Sequence, residues 1–191
     1  MINYAMNTGV VVGAYYIGKF CLFPLSFSSA FSGLLFIGLT LLVPYLIYRL
    51  VKTYRDRCLD GHIVFVQALV YAMLIMTFGS ILAAAAHYIY FAFIDGGRMI
   101  AALEQSIEQF AAIDLSAQTA GNESSIAQLN QYIEMMQTTA TQIKALTPID
   151  ITMGMLSNNI SWAIIIAFPI ALLAARRNRN TANTLNQPNN Q

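Results

Sequence analysis

The feature that most constrains this chain is a long stretch without charge. Residues 63–94 contain no Asp, Glu, Lys or Arg, and a helix of that length reaches about 48 Å at ~1.5 Å per residue. A helix needs only ~20 apolar residues to cross the ~30 Å hydrocarbon core of a bilayer. The stretch therefore predicts a transmembrane helix that tilts or extends beyond the lipid.

Three further apolar segments predict transmembrane helices: residues 4–27, 31–48 and 151–175. The composition agrees, because 57% of the residues are hydrophobic and 10% are charged, whereas soluble domains carry roughly 25% charged residues. The sequence predicts an all-α fold, a bundle of four transmembrane helices, within a single integral membrane domain of residues 1–177.

Basic residues predict the orientation of the bundle, because short cytoplasmic loops collect Lys and Arg. The loop between the second and third predicted spans holds Arg49, Lys52, Arg55 and Arg57. The segment after the fourth span opens with Arg176, Arg177 and Arg179. Residues 95–150 instead carry seven acids against two bases. These biases predict that both termini lie in the cytoplasm and that residues 95–150 lie on the outer side of the membrane.

The segment at residues 97–147 is too long for an ordinary connection and shows helical periodicity. Apolar residues follow spacings of three and four at Ile100, Leu103, Ile107 and Phe110, and again at Ile126, Leu129, Ile133, Met136, Ala140 and Ile143. Such a seam is typical of paired helices. The pattern predicts an antiparallel helical hairpin between the third and fourth spans.

The ends of this hairpin and of the chain have their own signals. Residues 116–125 predict a turn, with Asn122 or Ser124 as the N-cap of the second helix. Thr147-Pro148 closes the hairpin. Residues 178–191 are rich in Asn, Thr and Gln without apolar periodicity, which predicts a disordered cytoplasmic tail.

Polar residues inside the predicted spans are the first candidate site. Lys19 and His87 each lie about 10 to 12 Å inside the outer end of their span, and Asn158 and Asn159 lie at the same predicted depth in the fourth span. The functional interpretation is a polar layer that receives an anionic headgroup, an ion or a proton. The alternative is that Lys19 extends to the interface, that Asn158 and Asn159 make hydrogen bonds between helices, and that His87 is a satisfied interior residue.

The basic loop is the second candidate site. Arg49, Lys52, Arg55 and Arg57, interleaved with tyrosines, predict a basic face if the second span continues as a helix. Each such charge attracts anionic lipid by about 1 kcal/mol. The face could bind a phosphate-bearing lipid or an acidic partner; alternatively, it only determines topology.

The sequence favours a protein that is not an enzyme. It has no Gly-x-Ser-x-Gly, His-Glu-x-x-His, phosphate-loop or Cys-x-x-Cys motif, and its two histidines fall on opposite sides of the predicted bundle. Asp60 and His62 alone are too few to ligate a metal. We expect no cofactor, no metal and no nucleic acid partner. The expected partners are membrane lipids and either another membrane protein or further copies of the chain.

The chain resembles a family of small membrane proteins typical of Bacteroidota, catalogued as domain of unknown function 4199. The resemblance rests on residues 4–9, 61–68 and 88–95, together with the helical insert and a last span ending in Arg176-Arg177. Where similar proteins often have Asp-Pro, this chain has Asp95-Gly96-Gly97. The resemblance implies a location in the cytoplasmic (inner) membrane of a Gram-negative bacterium, with the helical hairpin in the periplasm, and it brings no established activity.

Two hypotheses on function follow. The first is a non-enzymatic accessory or scaffold subunit, for which the resemblance suggests a membrane-bound glycosyltransferase, or another membrane protein, as the partner. The second is a small transporter or lipid-binding protein that uses the polar layer of Lys19, His87, Asn158 and Asn159.

Overall fold

The computed structural model of the protein describes residues 1–26, 29–111 and 123–176. Over these residues the chain is all-α. The helices are α1 (Ile2–Ser26), α2 (Ala30–Cys58), α3 (Phe65–Ile89), α4 (Arg98–Ala111), α5 (Glu123–Lys144) and α6 (Pro148–Ala174). A π-helical turn, Tyr90–Ile94, continues α3. Four helical segments are long and apolar enough to cross a membrane: α1, α2, α3 with its π-helical turn, and α6. The described helices confirm the predicted all-α fold and its four candidate membrane spans.

Several boundaries differ from the sequence-based expectations. The α2 helix runs ten residues past position 48 and carries the basic residues on its last turns. Pro44 lies inside this helix, which a spanning helix tolerates when neighbouring groups satisfy the freed backbone carbonyl. The third span changes to π geometry over its last five residues. The α5 helix already begins at Glu123, so Ser124 is not its N-cap. Asn122, most of the predicted turn and the tail at 178–191 lie outside the described residues.

The α6 helix begins earlier than residue 151 because its start is capped. Thr147 donates its hydroxyl to the Asp150 carboxylate, and its backbone N–H is 3.1 Å from the same oxygen. The Asp150 N–H in turn lies 3.4 Å from the Thr147 hydroxyl oxygen. This reciprocal arrangement is a capping box. Pro148 occupies the first helical position, where its missing N–H has no helical partner to lose.

The described chain forms two compact units. The first unit comprises Met1–Tyr16, Thr40–Leu82 and the described residues from Ser157 onward. Within it, a Cβ added at Gly9 would lie 2.6 Å from the Phe78 Cβ, and one added at Gly79 would lie 2.7 Å from Val12. The backbones of α1 and α3 are therefore in close contact, as small residues permit in membrane proteins.

Backbone hydrogen bonds, a ring stack and a hydroxyl pair connect further elements of the first unit. Ile63 and Arg176 form an isolated antiparallel bridge, with N–H to oxygen distances of 3.2 and 2.9 Å. The Tyr54 and Tyr71 rings are stacked at 4.0 Å, and the Tyr71 hydroxyl donates to the Thr8 hydroxyl at 3.1 Å. These contacts link α1, α2, α3 and the segment after α6.

The second unit comprises Ile17–Leu39 and Ala83–Leu156. Its core is built from large side chains: Phe20, Phe91 and Met99 are buried together. The α4 and α5 helices pack against each other, with the seam residues Ile107 and Ala140 both 3% exposed. The side chains of Phe110, Ile126 and Leu129, also predicted in this seam, lie outside the described set.

Candidate functional site

Lys19 and His87 both belong to the second unit. The His87 ring is 4% exposed and lies 4.1 Å from the ring of Phe20, centre to centre. Lys19, which precedes Phe20, is half-buried, and its Nζ lies 5.3 Å from the centre of the Phe36 ring. A cation at this distance over an aromatic face is attracted by the ring quadrupole. The structure thus places these two polar residues of the predicted layer beside one aromatic cluster.

The His87 imidazole has an unsatisfied atom. Its Nδ1 is buried and finds no hydrogen-bond partner among the residues that the structure describes. Burying a polar atom without a partner costs roughly 1–3 kcal/mol, and native proteins leave few such atoms. This is the kind of atom that a bound ligand or an ordered water would satisfy.

Asn158 and Asn159 belong to the first unit. Asn158 is exposed and Asn159 is half-buried on α6. Their place in a common layer with Lys19 and His87 stays a prediction. The four residues therefore divide into one pair beside the aromatic cluster and one pair on α6.

The basic residues of α2 divide into an exposed set and one buried member. Arg49, Lys52 and Arg57 are exposed, whereas Arg55 is 3% exposed. Its Nη1 donates to the carbonyl of Ala174 at 3.1 Å, and its Nε donates to the carboxylate of Asp56 at 2.7 Å. Arg55 thus satisfies a free carbonyl at the C-terminus of α6, where positive charge is favoured.

This placement changes the composition of the predicted basic face. The exposed members are Arg49, Lys52 and Arg57, while Arg55 is a packing residue that joins α2 to α6. Residue type does not separate Arg55 from the other three, but Arg55 continues the four-residue spacing of the buried Val43, Ile47 and Val51. Tyr54 is likewise 6% exposed and stacks on Tyr71 instead of lining that face.

The corner between the π-helical turn and α4 contains a buried carboxylate. Asp95 is 4% exposed and accepts hydrogen bonds from the N–H groups of Gly97 and Met99, both at 3.0 Å. Gly96 and Gly97 have φ values of 56° and 83°, a region that glycine enters at little cost. Proline fixes φ near −65°, so a proline at position 96 could not form this same corner.

Metal ligands are not clustered in the described chain. No group of three or more His, Cys, Asp or Glu side chains that could hold an ion occurs within residues 1–26, 29–111 and 123–176. The ring Nδ1 of His62 lies 2.9 Å from the backbone carbonyl oxygen of Asp60, and both residues are exposed. The arrangement is therefore that of a turn.

The helices and their apolar surfaces define a class: this is a helical protein built to cross a membrane several times. The chain belongs to the family described as protein of unknown function (DUF4199), whose model matches residues 7–176. Neither a curated protein nor a solved structure matches the chain.

Proposed function

We propose that this protein is a non-enzymatic accessory subunit that binds and positions another membrane protein through one face of α5. The observation that carries the proposal is the exposure of Tyr132 and Met135, at 53% and 57%. Three positions separate them, so they share one face of the helix. Tyrosine and methionine are both enriched at the centres of protein interfaces.

The position of this face distinguishes it from the other exposed apolar surfaces. On α1, α2, α3 and α6, exposed apolar side chains have lipid as their natural surroundings. The α5 helix is not one of the four described helices apolar enough to span a membrane. An apolar face there calls for a protein surface to cover it.

The partner class that we propose is a membrane-bound glycosyltransferase or another multi-pass protein. Support for the glycosyltransferase comes from the family resemblance alone. A second copy of the chain is the competing occupant of the α5 face, and the experiment below distinguishes the two.

A photo-crosslinking residue placed at Tyr132 or Met135 tests the proposal. Glu134 is the matched control, because it is exposed on the same helix but about 100° or more around the axis from both positions. We expect both test positions to crosslink in cells to one membrane protein and Glu134 to give little product. Equal products from all three positions, or none from the two test positions, would contradict the proposal. A product of twice the chain's own mass would assign the face to self-association.

We further propose an inner-membrane location with both termini in the cytoplasm and α4 and α5 in the periplasm. The basic residues after the second and fourth spans support this orientation. Single-cysteine variants test it: a membrane-impermeant maleimide should label Glu134→Cys in spheroplasts but reach the exposed Cys58 only after lysis. Labelling of Cys58 in intact spheroplasts would reverse the orientation.

The buried, unpartnered Nδ1 of His87 favours a second candidate function. In this alternative the protein transports or binds a small anionic or lipid ligand, with Lys19 and His87 as the contacts. Lys19→Leu and His87→Leu separate the two functions. Ligand binding lost with unchanged thermal unfolding supports the alternative, whereas an unchanged yield of the partner complex supports the accessory subunit.

A further inference from the structure

A cleft of about 300 Å³ opens in the second unit where α1 ends and the π-helical turn meets α4. Six residues form its walls: Pro24, Leu25, Tyr90, Ile94, Met99 and Ala102. Five of these side chains are wholly apolar, and Tyr90 contributes an aromatic ring with one hydroxyl. The cleft can therefore hold a hydrocarbon chain.

The cleft lies at the end of two spans. The α1 helix ends at Ser26, two residues after Pro24, and the charge-free stretch of the third span ends at Ile94. Helices of this kind end where the hydrocarbon core gives way to the headgroups. The cleft is therefore at the depth of lipid headgroups and the first part of their acyl chains.

Arg98 adds a fixed positive charge to the lining of this cleft. Its Nε donates to the Asp95 carbonyl at 3.0 Å, and its Nη2 donates to the carbonyl of Ile94. A guanidinium has five N–H donors, so these two bonds hold the group in place and leave donors for a ligand. A guanidinium held in this way matches the geometry of a phosphate.

Arg98 forms no salt bridge within the described residues, where the two salt bridges join Arg55 to Asp56 and Lys144 to Glu104. The nearby Asp95 carboxylate accepts hydrogen bonds from the N–H groups of Gly97 and Met99 and interacts with the hydroxyl of Tyr90. Arg98 itself is exposed.

From this combination we propose that the cleft binds an anionic phospholipid, with the phosphate on Arg98 and one acyl chain against the apolar walls. The site is separate from the α5 face and from the pair Lys19 and His87, so it does not depend on either proposed function. A free phosphate would use only Arg98 and leave the apolar walls uncovered. A phospholipid would contact both Arg98, through its phosphate, and the apolar walls, through its acyl chain.

Native mass spectrometry of the full chain, released from micelles that contain dioleoylphosphatidylglycerol and dioleoylphosphatidylcholine, tests the site. We expect the wild-type protein to retain phosphatidylglycerol in preference. Arg98→Gln should lower that preference about fivefold, the factor for about 1 kcal/mol per cation. Lys144→Gln is the control, because Lys144 is an exposed basic residue of α5 that belongs neither to the cleft nor to the basic face of α2.

A second pair of variants tests the acyl part while leaving Arg98 in place. Ala102→Leu should fill the cleft and lower retention of phosphatidylglycerol, whereas Ala101→Leu, at the exposed neighbouring position, should not. Unchanged retention in Ala102→Leu, or equal loss in Lys144→Gln and Arg98→Gln, would overturn the proposal. Competition by the acyl-free headgroup glycerophosphoglycerol as effective as that by the intact lipid would also overturn it, since the walls would then contribute nothing.

Discussion

The two compact units pack α1 against α3 in opposite ways. In the first unit the contact is between backbones, and a Cβ added at Gly13 or Gly79 would lie 2.7 Å from a neighbouring side-chain atom. In the second unit rings fill the space: Phe20 lies 5.3 Å from Tyr90 and 5.8 Å from Phe91, centre to centre. Because lipid is as apolar as the core, association of spanning helices depends on packing. The same pair of helices is therefore joined by close backbone contact in one unit and by packed aromatic rings in the other.

This difference predicts opposite sensitivities. The first unit should be damaged by added atoms and the second by removed atoms. The variants below test that contrast through the free energy of unfolding in mild detergent, from the largest expected effect to the smallest.

Phe20→Ala should destabilise the second unit most, by about 3 kcal/mol, because it leaves a cavity between His87, Tyr90 and Phe91. The matched control is Phe93→Ala, since Phe93 is 78% exposed and its loss creates no cavity. Comparable unfolding free energies for the two variants would show that the ring cluster is not the core of this unit.

Gly79→Ala should destabilise the first unit by about 2 kcal/mol through overpacking. The new Cβ would lie 2.9 Å from the Val12 Cβ and 3.0 Å from the backbone nitrogen of Gly13, so a side-chain rotation cannot relieve it. Gly38→Ala is the control, because its Cβ would meet nothing within 4 Å and alanine favours helix. A stable Gly79→Ala protein would contradict the close backbone contact.

Arg55→Gln should cost about 1.5 kcal/mol, since it leaves the Ala174 carbonyl and the Asp56 carboxylate without their donor. Hydrogen exchange should also become faster in the last turn of α6. The exposed residue Arg57, changed to Gln, provides the comparison and should alter neither quantity. Equal effects of the two substitutions would mean that Arg55 is an exposed member of the basic face and does not join α2 to α6.

Lys144→Ala should have the smallest effect, about 0.5 kcal/mol or less. Lys144 donates to Glu104 at 3.1 Å, with the two side chains 63% and 43% exposed, and exposed ion pairs contribute little. A double-mutant cycle with Glu104→Ala measures the pair directly. A coupling well above this value would mean that the pair, and not the seam of Ile107 and Ala140, holds α4 to α5.

Much of the architecture could be predicted because the evidence for it is local. The four spans follow from runs of apolar residues, and α4 and α5 follow from spacings of three and four around Ile107 and Ala140. The contact of α1 with α3 had a partial signal. Gly79 and its small neighbours indicate close packing, and the spacing of Gly9 and Gly13 is the small-residue pattern of helix pairs.

The candidate sites were harder to predict, as Arg55 and Arg98 illustrate. In the sequence Arg55 is one of four basic residues near the end of α2, yet it is buried against the end of α6. In the sequence Arg98 is one of two basic residues in an acidic segment, yet it lines an apolar cleft at the end of two spans. Both outcomes depend on which distant residue each side chain meets.

The sequence by itself determined that the chain is helical, that four segments can cross a membrane and that two more are amphipathic. Hydropathy and periodicity suffice for this, because the bilayer requires each spanning segment to satisfy its own backbone hydrogen bonds. Only the tertiary structure decided which residues these side chains contact. The His87 ring packs against Phe20, Arg55 donates to the Ala174 carbonyl, and Arg98 lines the cleft. Those contacts join residues far apart in the chain, and no local pattern encodes them.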